Sequence, residues 1–287
     1  MKRVAITGVG AITPAGLGLS FLPSPEGFKD WGNHMLPDLN PADYGWKGLT
    51  RLSRMSQYGC MAIGEALKHA GWAVPPAKTS ERSDTGMIIG TNYSNLEPIL
   101  SMRDEADRYG VTGVNPALFP ETVMNAIGGH ASIYYQITGA NMTISDGPLS
   151  GPKCLVYAID LLDRGALDYV VCCMISIEPP KAFAGVVPRE ARGSESVVAL
   201  LLRRDTEASA TGSDILLEWN EPNDAYDPSD SLVLSSDALL GIASSYKRIA
   251  SAKQPSQQLV ISGEQEGYHR VRLYNRSHSC SGPDGTL

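Results

Sequence analysis

Residues 142–173, MTISDGPLSGPKCLVYAIDLLDRGALDYVVCC, set several polar side chains around a sharp turn. The pattern predicts a short strand (Thr143–Ser145), a tight turn, a helix (Ser150–Arg164) and a second strand (Tyr169–Ile175). An elbow of this kind lifts one side chain to a helix N-terminus, where free N–H groups and the helix dipole favour a developing anion. Here the tip is Pro148, whose ring offers neither donor nor acceptor. Ser150 stands two residues on, but no histidine-rich segment is placed to activate its hydroxyl. Cys154 stands six residues on, about 240° further around the helix, and reads as a buried helix cysteine. The elbow therefore has the shape of a catalytic turn and no nucleophile at its tip.

The remaining reactive residues form no constellation. His34, His69 and His278 fall in loops or near helix ends. His130 reads as a hydrogen-bonded helix histidine, and His269 as a surface or packing residue in a strand. The five cysteines, Cys60, Cys154, Cys172, Cys173 and Cys280, match neither a disulfide framework nor a zinc spacing. The first four lie in apolar segments, which implies reduced, buried thiols and a cytoplasmic chain; no metal and no cofactor are expected. After the first strand, Gly8, Gly10 and Gly16 raise the idea of a dinucleotide loop. Their spacing departs from G-x-G-x-x-G, Pro14 sits where the helix should begin, and no acidic residue ends a second strand some twenty residues later. A glycine turn with positive φ is the expected reading.

The elements around the elbow suggest an α/β protein with a central sheet. SRMSQYGCMAIGEALKHAG (53–71) is an amphipathic helix closed by Gly71, and TGMIIGTN is a buried strand followed by a polar turn. NLEPILSMRDEADRYG is a second helix. A third is expected over residues 120–137, with Pro120 near its first turn and Gly128 and Gly129 marking close approach of another backbone. Further on come strands at 196–204 and 214–220, a polar loop at 221–236, a helix at 236–253 and a strand at 268–276. Residues 23–50 read as loop, and 277–287 as a disordered tail. The 287 residues carry 43% hydrophobic and 19% charged residues, enough to bury a sizeable core. A net charge of −7 argues against nucleic acid as a partner. No apolar run is long enough for a membrane span. Lys2 and Arg3 ahead of an apolar stretch imitate a signal peptide, but glycines interrupt that stretch and it begins as a strand.

Taken together, KRVAITGVGAITPAG, SRMSQYGCMAIGEALKHAG, GTNYSN, FPETVMNAIGGHASIYYQITGAN and AIDLLDRGALDYVVCC resemble, in order and at suitable spacings, the first half of the β-ketoacyl synthases. These are condensing enzymes of fatty-acid and polyketide synthesis. The resemblance covers residues 1–180, and SVVALLLRRD resembles the family's next strand. It implies the thiolase fold, a layered αβαβα architecture, with a first half at 1–180 and a shortened second half at 181–276. In the family the elbow reads Thr-Ala-Cys-x-Ser-Gly. Matching Ser150-Gly151 to the last two residues puts Pro148 at the cysteine position. The family's two histidine loops of the second half have no counterpart here. Thiolate condensation is impossible at Pro148.

The resemblance therefore implies a nucleophile-less, chain-length-factor-like subunit. Such a subunit pairs as a heterodimer with an active ketosynthase and shapes the tunnel that receives the chain growing on acyl carrier protein. The short second half resembles the subunits of aryl polyene pathways. Candidate tunnel residues are Val123, Met124, Ile127, Pro148 and Leu149. Candidate interface residues are Asn141, Met142, Thr143, Ile144 and Ser145, pairing edge to edge, with Tyr134 on the helix at 120–137 beside the pseudo-twofold axis. Carrier protein, being acidic, is expected to dock on the partner rather than on this acidic chain. A purely structural partner of a ketosynthase and an independent hydrolase using Ser150 are the alternatives.

Overall fold

A computed structural model describes residues 2–24, 35–44, 46–77, 81–93, 95–183, 195–206, 214–220, 231–251, 254–262 and 268–278. The chain opens with β1 (Lys2–Thr13) and a two-residue return strand, β2 (Gly16–Leu17). There follow α1 (Arg54–His69), β3 (Thr85–Thr91), α2 (Leu96–Tyr109), α3 (Ala126–Tyr135), β4 (Asn141–Ile144), α4 (Ser150–Asp163) and β5 (Tyr169–Ser176). The rest comprises β6 (Ser196–Arg204), β7 (Ile215–Trp219), β8 (Ser231–Val233), α5 (Ala238–Ala250), β9 (Ser256–Ser262) and β10 (Tyr268–Asn275). The ten strands form one sheet in the order β4-β3-β5-β6-β1-β7-β10-β9-β8, with β2 paired to β1. β6, which lies beyond residue 180 in the sequence, inserts between β5 and β1.

Alternation along the strands builds two cores. Val170, Cys172 and Met174 of β5 face α4 and α5, while Val171, Cys173 and Ile175 face α1 and α3. β6 divides in the same way, with Val198, Leu200 and Leu202 on one side and Val197, Ala199 and Leu201 on the other. β1 shifts register between Ile6 and Gly8, where Thr7 is the extra residue. That bulge lets Val4 and Ile6 before it, and Val9 and Ala11 after it, enter the same core. Were Thr7 an ordinary strand residue, a strict period of two would turn Val9 and Ala11 to the opposite face. α5 packs on β6, β1, β7, β9 and β10, so this helix lies against the middle of the sheet.

The structure revises several sequence expectations. Gly8 and Gly10 are strand residues, because the strand runs unbroken to Thr13. They are glycine because α1 crosses directly above: a Cβ on Gly8 would lie 2.1 Å from the Ala66 carbonyl oxygen, and one on Gly10 2.0 Å from that of Ala62. Of the three, only Gly16 has the positive φ (+142°) expected of a turn. The helix expected over 120–137 is two pieces: a 3-10 segment, Pro116–Thr122, and α3. Val123 between them is extended (φ −100°, ψ 143°). The expected close approach of another backbone is found at neither glycine of α3: at Gly128 the neighbour is a side chain, with a Cβ lying 2.6 Å from Asn141 Oδ1, and Gly129 has open space. β8 and β9 are strands the sequence did not suggest. The helix expected at 236–253 starts at Ala238 after a 3-10 turn, Ser235–Asp237. Within the expected loop at 23–50, Pro41–Tyr44 and Leu49–Arg51 are 3-10 turns, while residues 25–34 and 45 are outside the described residues. Most of the expected polar loop (221–230) and most of the expected tail (279–287), with Cys280, are also outside them. No described helix is long and apolar enough to cross a membrane.

Gly10→Ala forces α1 away from β1 and is expected to lower stability by about 1–3 kcal/mol, as overpacking does. Gly129→Ala, on an open helix face, should be neutral or stabilising by about 0.5–1 kcal/mol. Thermal unfolding of the two variants side by side checks the contrast; equal effects would contradict the close-approach assignment.

Candidate functional site

β4 lies at one end of the sheet and pairs only with β3, in parallel register from Met87↔Asn141 to Gly90↔Ile144. Its other edge carries no strand among the described residues. The turn after it is built locally. Gly147 takes a left-handed conformation (φ +54°), and the Leu149 and Ser150 amides donate to the Asp146 and Gly147 carbonyls at 3.1 and 3.2 Å. Pro148 and Leu149, both half-buried, lead into α4, and Lys153 forms an ion pair with Asp146 across the turn.

Ser150 is fully buried. Its Oγ accepts from the Asp146 amide at 2.8 Å and donates to Asn92 Oδ1 at 2.6 Å, with the Gly147 carbonyl at 2.9 Å also in reach. A hydroxyl has one proton, and these oxygens hold it, so this serine staples the loop after β3 to the elbow. On the other side of the first turn of α4, Gly151 faces Leu239, Met174 and the Ser235 carbonyl. Cys154 is buried toward the sheet beside Gly90 and hydrogen-bonds with Cys172. That bond, then burial, pushes the Cys172 thiol well above its ordinary value. Burial pushes the thiols of Cys60 and Cys173 up as well. Cys60, Cys154, Cys172 and Cys173 are free and buried, as the sequence implied. Among the described residues, the histidines do not gather at the turn. His69 Nδ1 accepts from the Val9 amide at 3.0 Å, His269 packs on the Trp219 ring, and His130 belongs to a cluster on α3.

The two faces of β4 meet different helices. Asn141 donates through Nδ2 to the Gly128 carbonyl of α3 at 3.0 Å, whereas Ile144 packs into the core beneath α4. Thr143 and Thr91 each keep a buried hydroxyl oxygen without a hydrogen-bond partner in the structure. Met142 and Ser145 are exposed. On α3 the outward residue is Ile133, 79% exposed. Tyr134, the sequence candidate, is half-buried and stacks on Trp46 with ring centroids 3.4 Å apart. Val123 and Met124 are 45% and 47% exposed in the link before α3. Ile127 is 1% exposed and packs against Gly59 of α1, inside the core rather than on the surface.

A buried polar cluster beside this link escaped sequence reasoning. Glu121 Oε2 accepts from the Ser53 amide (3.2 Å), Ser53 Oγ (2.6 Å) and Ser56 Oγ (2.6 Å), and His130 Nε2 lies 2.5 Å from Oε1. Ser53 is the N-cap of α1. Burial alone would raise the Glu121 carboxyl; hydrogen bonds from His130, Ser53 and Ser56 outweigh it and hold the carboxyl at about 2. In sequence Glu121 is an unremarkable acid after Pro120, and its partners lie 68, 65 and 9 residues away.

Among known proteins, the family described as beta-ketoacyl synthase, N-terminal domain, matches residues 43–196, more than half of the chain. A putative mitochondrial 3-oxoacyl-[acyl-carrier-protein] synthase of Schizosaccharomyces pombe is 27% identical over 195 residues, 60% of this chain and 45% of the relative. 3-oxoacyl-[acyl-carrier-protein] synthase 2 of Rhizobium meliloti is 24% identical over 200 residues, covering 60% and 46%. The match thus spans about half the length of these curated relatives. Among solved structures, the ishigamide ketosynthase/chain length factor superposes with a TM-score of 0.67 at 14% identity, covering 96% of this chain and 99% of that one. AntDE:AntF, a type II PKS acyl-carrier protein in complex with its ketosynthase, gives 0.74 at 16%, with the same coverages. The ketosynthase ApeO in complex with its chain length factor ApeC, from Xenorhabdus doucetiae, gives 0.58 at 14%, again with those coverages. At such identities the likeness is one of fold, and it is the thiolase-like ketosynthase fold.

Because the folded carboxyl of Glu121 titrates near 2 rather than its ordinary 4.5, its stabilising contribution is complete above about pH 4.5 and is lost as pH falls toward 2. The shift corresponds to stability on the order of 3 kcal/mol. Thermal unfolding between pH 6 and pH 3 should show the wild type losing more stability than Glu121→Gln; parallel curves would contradict the assignment.

Proposed function

Because the chain belongs to the β-ketoacyl synthase family, we propose that it is the non-catalytic half of a ketosynthase pair, a chain-length-factor-like subunit that shapes the tunnel for a carrier-bound acyl chain. The observation that carries this reading is the elbow itself. Pro148 stands at the family's nucleophile position, and the surrounding turn is still held by Ser150, Asn92 and Gly147. A fold that retains the turn and lacks the sulfur suits a role in which shape matters and bond-making belongs to another chain.

The open edge of β4 supports an edge-to-edge pairing through Asn141, Met142, Thr143, Ile144 and Ser145 with the equivalent strand of an active ketosynthase. An unpaired strand edge beside exposed apolar residues favours association. Ile133 and Met142 would be covered in that pairing. Val123 and Met124, exposed at the start of α3, would present the tunnel wall, with Pro148 and Leu149 contributing from the elbow. Ile127 would back this wall from the core. A close-packed wall limits length sterically, since each further methylene would have to be forced in at about 1–3 kcal/mol. Acyl carrier protein would dock mainly on the partner. Membership in an aryl-polyene-type pathway is the finer reading.

A purely structural partner is the second reading, and the burial of Ile127 favours it for that one position. Catalysis by Ser150 finds no support in a hydroxyl that is fully buried and fully engaged.

In the reconstituted complex with an active ketosynthase and carrier protein, Met124→Ala should shift product toward longer chains. Val123→Ala should do the same to a smaller extent. Mass spectrometry of carrier-bound products reads this, and unchanged distributions for both would leave only the structural role. The purified chain incubated alone with acyl thioesters should show no covalent acyl adduct by intact-mass analysis; an adduct on Ser150 or Cys154 would overturn the non-catalytic assignment.

A further inference from the structure

Val123 and Met124 cannot owe their position to packing, because each is nearly half exposed. Their place is set by how the backbone on either side is anchored. On the C-terminal side the Ala126 amide donates to the Val123 carbonyl at 3.2 Å, which starts α3. On the N-terminal side the Thr122 carbonyl accepts from Asn95 Nδ2 at 3.1 Å, tying the link to the start of α2. One residue earlier, Glu121 reaches into the protein. Its Oε2 takes three donors from the N-terminus of α1, and its Oε1 meets His130 in the second turn of α3. A single carboxylate thus joins the link to both helices that frame it. We infer that Glu121 is a positioning residue for chain length: its carboxylate clamps the 116–124 segment between α1 and α3 and thereby fixes how far Val123 and Met124 project toward the acyl chain.

The chemistry calls for a carboxylate. Four polar contacts converge on two oxygens, and the three from Ser53 and Ser56 come from donors. An ionised carboxyl is acceptor-only and can meet all of them, while an amide of the same size turns one acceptor into a donor. Glu121→Gln keeps the volume and the Ser53 and Ser56 bonds through its remaining oxygen, and it weakens the arm to His130. Glu121→Asp keeps the charge but is one methylene too short to span both helices. Neither change touches Val123, Met124 or the β4 edge.

The inference rests on the wall role proposed for Val123 and Met124, and the experiment separates the two. The wild type, Glu121→Gln, Ser56→Ala and Met124→Ala would each be purified with the active ketosynthase partner. Each complex is then read by amide hydrogen exchange over residues 114–126 and by the length distribution of carrier-bound products. Ser56→Ala removes one donor only, so it carries the test if Glu121→Gln fails to fold. The expected result is at least tenfold faster exchange in that segment for Glu121→Gln, a smaller increase for Ser56→Ala, and broader, longer products for both at unchanged complex affinity. Altered products for Met124→Ala with wild-type products for both clamp variants would overturn the clamp and leave the wall. Unaltered products for Met124→Ala would overturn the wall and the positioning role with it. Unchanged exchange in both clamp variants would overturn the clamp directly.

Discussion

The contact between β1 and α1 is the constraint on which the other elements depend. β1 pairs with β6 along most of its length and with β7 along its first residues, so it joins the two parts of the sheet. The helix above it can come close only because Gly8 and Gly10 lack side chains. α1 then lies low enough for Ala62, Ala66 and Ile63 to fill the space over β6 and β5. It also brings the Ser53 cap within reach of Glu121, and Gly59 within reach of Ile127. The position of α3, and hence of everything placed at its N-terminus, follows from that height. On the other face the Thr7 bulge performs the matching adjustment, keeping both ends of β1 in one core beneath α4 and α5.

The contacts that shape the turn around Pro148 need no reactive side chain at its tip. Gly147 supplies the left-handed residue, and Ser150 bonds to the Asp146 amide and to Asn92 of the preceding loop. The helix beyond is buried through Cys154, Leu155, Ala158, Ile159 and Leu162. A proline two residues before a helix is conformationally compatible with its fixed φ and needs no donor there. A proline at this tip is therefore compatible with the turn, whose geometry is set by packing and local hydrogen bonds.

How much of this could be seen in the residues depended on whether local signals decided the outcome. α1, β3, α4, β5 and β6 are long, periodic and bounded by caps or glycines, and they were legible. β9 was not, because SQQLVIS opens with polar residues and offers only Leu259–Ile261 as an apolar core. The break at Val123 was hidden because Pro120 is tolerated in the first turn of an α-helix as well as in a 3-10 segment. What decides there is a bond from Glu121 to serines more than sixty residues away, which no window of sequence contains. Gly8 and Gly10 misled in the opposite direction. Glycine signals a turn locally, whereas here it records a helix passing overhead. That Pro148 carries neither a thiol nor a hydroxyl was readable at once, since it depends on residue type alone.

The distribution of polar and apolar groups around β4 explains why the outermost strand is so short and yet ordered. Four residues pairing on one side only would be marginal by themselves. Asn141 anchors one face to the Gly128 carbonyl, Ile144 anchors the other beneath α4, and the Ser150 staple holds the exit. The strand is thus presented rigidly from within, with its free edge and Met142 turned outward. A rigid edge loses little conformational entropy when a second strand pairs with it, which favours association through that edge over any flexible loop of comparable area. The buried, unpartnered hydroxyl of Thr143 lies on the same strand. In the proposed pairing, ordering supplied by the fold would leave little for a second strand to order at β4.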